Sequence, residues 1–151
     1  MTVDYRGASA AAIQQSYDLP TEFYACWLDE TLTYTCGLWD LDDPADTLAD
    51  AQRRKLDYLI AGARAGGAAR VLDVGCGWGS LLERLTGTHG VRQAVGVTLS
   101  ETQAAWIGDR GLDRVEVRVE NWADHEPDGR YDAVVSIGAF EHFARFGLTR
   151  N

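Results

Sequence analysis

A chain of 151 residues, 46% of them hydrophobic, matches the size of one domain with a single core. Its formal charge of -9 and pI near 4.7 exclude a nucleic-acid binder, which needs clustered Lys and Arg to displace counterions, and make adhesion to an anionic membrane doubtful. No apolar run approaches the roughly 20 residues of a membrane span, and Met1 to Ala10 has no signal-peptide design, so a cytoplasmic location is expected.

In chain order, residues 1–45 carry Tyr17, Phe23, Tyr24, Trp27, Tyr34 and Trp39 without a sustained period, and read as short helices and loops forming a lid. After the Pro44 turn, Thr47 and Asp50 form a capping box opening a helix with Leu48, Leu56, Leu59 and Ile60 on one face. Gly62, Gly66 and Gly67 end it. From Arg70 onward, short β-branched runs alternate with helix signals, the pattern of a parallel sheet with crossover helices. Strands are expected at 71–74, 94–97, 115–119 and 131–137, with helices after Gly79, Ser100 and Gly138. Ser100 and Gln103 make an S-x-x-Q capping box, and Glu126-Pro127-Asp128-Gly129 is a turn. The fourth strand would end the sheet as an unpaired apolar edge, which points to a fragment or to a covering element.

Cys26, Cys36 and Cys76 are odd in number, widely spaced and free of a C-x-x-C pair, so neither a disulfide framework nor a metal site is expected. The strongest local signal is Val71 to Gly79, a strand that runs into a glycine-rich turn and then a helix. Glycines there let a ligand approach the backbone, beside the free N–H groups of a helix start. A dinucleotide site competes for this reading, but its fingerprint G-x-G-x-x-G/A meets Ser80, and its ribose-binding acid meets Val97-Thr98-Leu99-Ser100. Both departures favour G-x-G-x-G, the spacing used for the amino-acid end of S-adenosylmethionine (SAM).

Six segments then stand in a familiar order and spacing: Tyr17-Asp18-Leu19, Thr33 to Cys36, Gly75 to Gly79, Gly96 to Ser100 with Gln103, Asn121-Trp122, and Ser136 to Phe143. Together they resemble the cyclopropane fatty acid and mycolic acid cyclopropane synthases, over most of the chain. The resemblance implies an α/β, Rossmann-like SAM-dependent methyltransferase fold, incomplete, with its first four parallel strands in residues 46–151 behind the helical lid. It implies that Tyr34 and Thr35 touch the methionine end of SAM, and that Asp73, Gly75, Cys76, Gly77 and Gly79 form its floor. Thr98, Leu99, Ser100 and Gln103 would hold the ribose, and Trp122 with Ala123 would border the adenine. It further implies a bicarbonate ion serving as general base near Cys36, Ile137 and Glu141, and methyl transfer to an alkene carbon through a carbocation. The family completes the bicarbonate cage with a histidine and a tyrosine beyond Asn151, and closes its sheet there too.

Plainer readings stand beside these. Cys36 taken alone is a small buried hydrophobe, and Cys76 a packing residue. Glu141 taken alone is a helix-start acid, and His89 and His125 are solvated loop residues. The acceptor expected is a small-molecule or carrier-bound alkene, from a lipid or a natural product. A homo-oligomer or a completing C-terminal segment is the expected partner. The other reading is a truncated or split relative that binds SAM without turnover until completed.

Overall fold

The computed structural model describes residues 19–143. The Tyr17-Asp18 part of the first family segment and everything beyond Phe143 lie outside the described residues. A short helix α1 (Thr21–Ala25) is followed by loops and then by α2 (Leu48–Gly62). The α/β part runs β1 (Arg70–Val74), α3 (Ser80–Gly87), β2 (Gln93–Thr98), α4 (Glu101–Asp109), β3 (Val115–Val119) and β4 (Ala133–Val135). No helix among the described residues is long and apolar enough to cross a membrane.

The four strands form one sheet in the order β3-β2-β1-β4, and every neighbouring pair is parallel. Alternation along the strands sorts residues between two apolar clusters. Val71 and Ala94 join Leu56, Ile60, Leu81, Leu82 and Leu85, while Leu72, Val95 and Val97 pack on the other face. The chain first adds β2 and β3 on one side of β1, then crosses back to place β4 on the other. That reversal puts a topological switch point between β1 and β4, where open α/β sheets hold ligands at their carboxyl ends.

The capping box predicted at Thr47 is formed in both directions, with the Thr47 hydroxyl accepting from Asp50 N at 3.2 Å. The predicted apolar stripe of α2 is only partly apolar: its buried residues are Ala51, Gln52, Lys55, Leu56 and Ile60. Two polar side chains therefore point inward, and both belong to the site described below.

The fourth strand is shorter than the expected 131–137, because polar groups at both ends divert the backbone. Asp132 uses its carboxylate to accept from Ala69 N and Arg70 N, at 2.8 and 3.0 Å, and Ser136 donates its hydroxyl to the Val74 carbonyl at 2.8 Å. Gly138 then turns away at φ +69. Val134 is 58% exposed on this outer strand, the apolar edge that the strand count anticipated. The helix expected after Gly138 is, among the described residues, a single 3-10 turn (Phe140–His142).

Two histidines expected in solvent are in fact engaged. His89 bonds the Asp57 carboxylate at 2.7 Å, and Asp57, held mainly by Arg84, has its carboxyl pulled down to about 2. The His125 side chain is 7% exposed, with Nδ1 on Glu120 and Nε2 on the Tyr131 hydroxyl. A single sequence carries no sign of either contact, since the partners lie on other elements or across a turn.

Candidate cofactor cleft

The turn after β1 is fixed from below by the next strand. Gly75 N and Cys76 N both donate to the Val97 carbonyl, at 2.9 and 3.1 Å, so the loop folds back over the end of β2. Its three glycines all have positive φ, yet they serve different ends. A Cβ on Gly75 would collide with Ala139, and one on Gly79 would meet Ile107 Cγ1 at 2.9 Å. These two allow close packing. A Cβ on Gly77 would meet nothing within 4 Å, because Gly77 faces open space in a cleft.

That cleft encloses roughly 1040 Å³ between atoms, its solvent mouth included, at the switch point between β1 and β4. Thr33, Tyr34 and Thr35 wall one end, Asp73 to Trp78 form the floor, and Thr98, Leu99 and Gln103 stand along one side. Glu120, Asn121 and Trp122 follow, and Ile137 to Ala139 approach from β4.

At the Thr98 side, the threonine hydroxyl donates to Gln103 Oε1 at 2.8 Å, and both residues are 6% exposed. This contact takes the glutamine oxygen that an S-x-x-Q box would turn back to Ser100 N, and Ser100 N instead donates to Thr98 Oγ1 at 3.1 Å. Only half of the predicted box therefore forms, with Ser100 Oγ accepting from Gln103 N at 3.2 Å. The Gln103 NH2 group is left without a protein acceptor among the described residues, beside the cleft, as a donor for a ligand hydroxyl.

On the floor, Asp73 is 3% exposed, and its carboxylate accepts no hydrogen bond among the described residues. Burial alone pushes its carboxyl up to about 7. Beside it, burial and the Asp73 charge push the Cys76 thiol up, which makes it a poor nucleophile and a packing residue as read from sequence.

At the third wall, Gln52 Nε2 donates to the carbonyls of Thr33 and Thr35 at 3.2 and 2.6 Å. Lys55 Nζ donates to Thr35 Oγ1 and to Gln52 Oε1, at 2.5 and 2.6 Å. Helix α2 thus holds the Thr33–Thr35 segment against the cleft. Tyr34 is 46% exposed, and its ring packs edge-on to Trp27 at 5.0 Å. Below it, buried Trp78 stacks obliquely on Tyr24 at 4.4 Å.

Of the residues singled out from sequence, Tyr34, Thr35, Asp73, Gly75, Cys76, Gly77, Thr98, Leu99, Gln103, Trp122 and Ile137 converge on one cleft. Cys36, Gly79, Ser100, Ala123 and Glu141 do not line it. Ser100 is fully buried as a helix cap, and Ala123 N donates to Asn121 Oδ1 at 2.9 Å, so these two shape the walls. Cys36 and Glu141 are exposed. Missed from sequence were Gln52, Lys55, Ser80 and Glu120. For the first two a signal existed: they share the face that Leu56 and Ile60 bury, where a polar residue needs a partner.

A SAM-type nucleoside fits these residues on three counts: the open space above Gly77, the unused donors of Gln103 and the buried unpartnered carboxylate of Asp73. A parallel sheet in this order, with a glycine turn after β1 and a cleft at the switch point, defines a Rossmann-like SAM-dependent methyltransferase fold. Within that class the chain belongs to the mycolic acid cyclopropane synthetase family, whose model matches residues 6–150.

It is 38% identical over 144 residues to a probable fatty acid methyltransferase of Pseudomonas putida, covering 92% of this chain and 36% of that protein. It is 36% identical over 140 residues to cyclopropane mycolic acid synthase 2 of Mycobacterium tuberculosis, covering 88% of this chain and 44% of the relative. A crystal structure of mycolic acid cyclopropane synthase CmaA1 complexed with SAH and CTAB superimposes with a TM-score of 0.81 at 36% identity, over 91% of this chain and 48% of that one. The chain thus spans less than half the length of these relatives.

Proposed function

We propose that this chain carries the cofactor-binding half of a SAM-dependent C-methyltransferase of the cyclopropane synthase type. The observation that carries this reading is the single cleft in which Gly77 leaves open space between the Thr98–Gln103 pair and the Thr33–Thr35 wall. Bound there, SAM supplies an electrophilic methyl on a sulfonium. Gln103, with Thr98 fixing its amide, would grip the ribose hydroxyls. Trp122, packed on Phe143 at 4.9 Å, offers a flat apolar surface for adenine. Tyr34 and Thr35 would meet the methionine end, and ionised Asp73 would face cationic charge.

The acceptor proposed is an alkene carbon of a lipid or natural-product molecule, free or carried on a partner. An alkene is a poor nucleophile, so alignment must supply much of the acceleration, about 7 to 11 kcal/mol in favourable cases. The face of Tyr34, which lines the cleft with Trp27 packed edge-on against it, would stabilise an acceptor carbocation by about 0.5 to 2 kcal/mol. Cys36, Ile137 and Glu141 are proposed to serve a bicarbonate base. Lid and cofactor domain are assigned to 1–45 and 46–151, and a cytoplasmic protein, self-associated or completed by a further segment, is proposed on the same footing.

A second reading is favoured by one observation: Cys36 and Glu141 stand outside the cleft. On that reading the chain binds SAM without turnover until a C-terminal half completes the base site. Titration calorimetry of the protein with SAM and with its demethylated product tests the shared claim, and absence of heat from both ends it. Methyl transfer by residues 1–151 alone removes the second reading. In a complete enzyme, Glu141→Gln is expected to slow turnover about 100-fold, the scale of a lost general base, with little change in SAM affinity. A parallel fall in both quantities would make Glu141 a cofactor or folding residue instead.

A further inference from the structure

Lys55 is the cation at the cleft that neither the glycine turn nor the ribose grip accounts for. It is 8% exposed, lies in the middle of α2 and lines the wall formed by Thr33, Tyr34 and Thr35. An ammonium has three N–H donors, and two of them go to neutral acceptors, Thr35 Oγ1 and Gln52 Oε1. Among the described residues no carboxylate forms an ion pair with it. Two nearby groups, Cys36 and then Asp29, favour its charged form without pairing with it, and the Asp29 oxygens accept from Thr31 N, Thr31 Oγ1 and Thr33 N at 3.2, 2.6 and 2.9 Å.

Burying an ammonium without a directly paired counter-ion is costly, and neutral side chains could brace a threonine loop without that cost. The position makes physical sense if the missing negative charge arrives with a ligand. The second half of the geometry agrees. Because Thr35 Oγ1 accepts from Lys55, its hydroxyl proton is directed to another acceptor, and Gln52 pins both flanking carbonyls. Lys55 and Thr35 together therefore present an N–H and an O–H at one end of the cleft, while the buried Asp73 carboxylate sits on its floor.

We propose that Lys55 is the countercharge for the α-carboxylate of SAM, and that it sets the preference of the cleft for an amino-acid-bearing nucleoside. This rests on the SAM reading of the cleft and adds a residue to it. Burial depresses the ammonium's own affinity for its proton, and a bound carboxylate would restore it.

The test compares SAM with decarboxylated SAM, which keeps the sulfonium and the amine but lacks the carboxylate, on the full-length protein. In the wild type, loss of a hydrogen bond to a charged group is expected to make decarboxylated SAM about 10- to 100-fold weaker. Lys55→Met, similar in length, is expected to lose about the same factor for SAM and to change decarboxylated SAM by less than about threefold. Parallel losses for the two compounds would mean that Lys55 only braces the Thr35 loop, and would overturn the proposal. So would equal affinities in the wild type, a result that needs no variant to fold. A variant that keeps SAM affinity but loses bicarbonate-dependent turnover would also overturn it, assigning the charge to the base site. Failure of the wild type to bind either compound would instead remove the SAM reading itself.

Discussion

Asp73→Asn is expected to make the ligand-free protein more stable at pH 8 and, at the same time, a weaker binder of SAM. The Asp73 carboxyl is held at about 7 in the fold by burial, against an ordinary value of 3.8. Between those two values the unfolded chain has released the proton that the folded chain retains. The slope of unfolding free energy with pH follows the protons bound unfolded minus folded, which is negative here, so stability falls as pH rises through this window. The fall is about 1.4 kcal/mol per pH unit, or about 4 kcal/mol in total, and it is complete above pH 7. An asparagine has the same shape and no charge to desolvate, so this contribution to the pH dependence should vanish. Denaturant melts at pH 5 and pH 8 measure it, and an unchanged difference between the two pH values would show that Asp73 is not the group responsible.

The ligand side of the same residue has the opposite sign. A bound cation would favour the ionised carboxylate, so SAM binding near pH 6 should release a proton into the buffer. Calorimetry in buffers of different ionisation enthalpy reads that proton directly, and Asp73→Asn should abolish the release while weakening SAM about 10- to 100-fold. Destabilising the empty site while strengthening the filled one is a coherent use of a buried acid. It is also why the residue stands out here and not as an ordinary strand-end aspartate.

Gly77→Val is expected to remove measurable SAM binding while leaving a folded protein. Its Cβ and methyl groups would enter open cleft space, so no packing contact is broken, but the space is the ligand's. The cost to the fold comes from the backbone: φ is +54, where an L-residue is disfavoured by about 1 to 2 kcal/mol. At this chain length that corresponds to a fall in Tm of a few degrees, about 2 to 4 °C per kcal/mol. The expected pattern is a loss of SAM affinity beyond about 100-fold, or about 2.7 kcal/mol, with a modest thermal shift. Gly77→Asn, which tolerates left-handed backbone but still fills space, should behave alike in binding and melt higher. Retained affinity in both would place the ligand elsewhere.

The contrast with the neighbouring glycines shows where sequence reading stops. Gly75, Gly77 and Gly79 look equivalent along the chain, and the family resemblance implies a place in the cofactor floor for all three. Gly75 is required because Ala139, some sixty residues later, packs against it, and Gly79 because Ile107 does. Only Gly77 leaves its space free. Pairwise contacts between distant segments divide the three, and a local motif contains no information about such contacts.

Much of the fold was nevertheless local in origin. Short β-branched runs set β1, β2 and β3, and the Thr47–Asp50 box set the start of α2, because these depend on residues a few positions apart. The end of β4 was not local. It is decided by Asp132 reaching back to Ala69 and Arg70 and by Ser136 reaching Val74, bonds that span more than sixty residues.

The sequence by itself determined the strand and helix order, the family, and most of the residues that meet at the cleft, since these follow from side-chain period and from short motifs at fixed spacing. The tertiary structure alone decided which of those residues face the ligand space, that Cys36 and Glu141 stand outside it, and that Lys55 belongs to its wall with Gln52 bracing it. The reason is physical: which groups lose their water, and which charges are left without partners, is fixed only when strands and helices far apart in the chain close around a common volume.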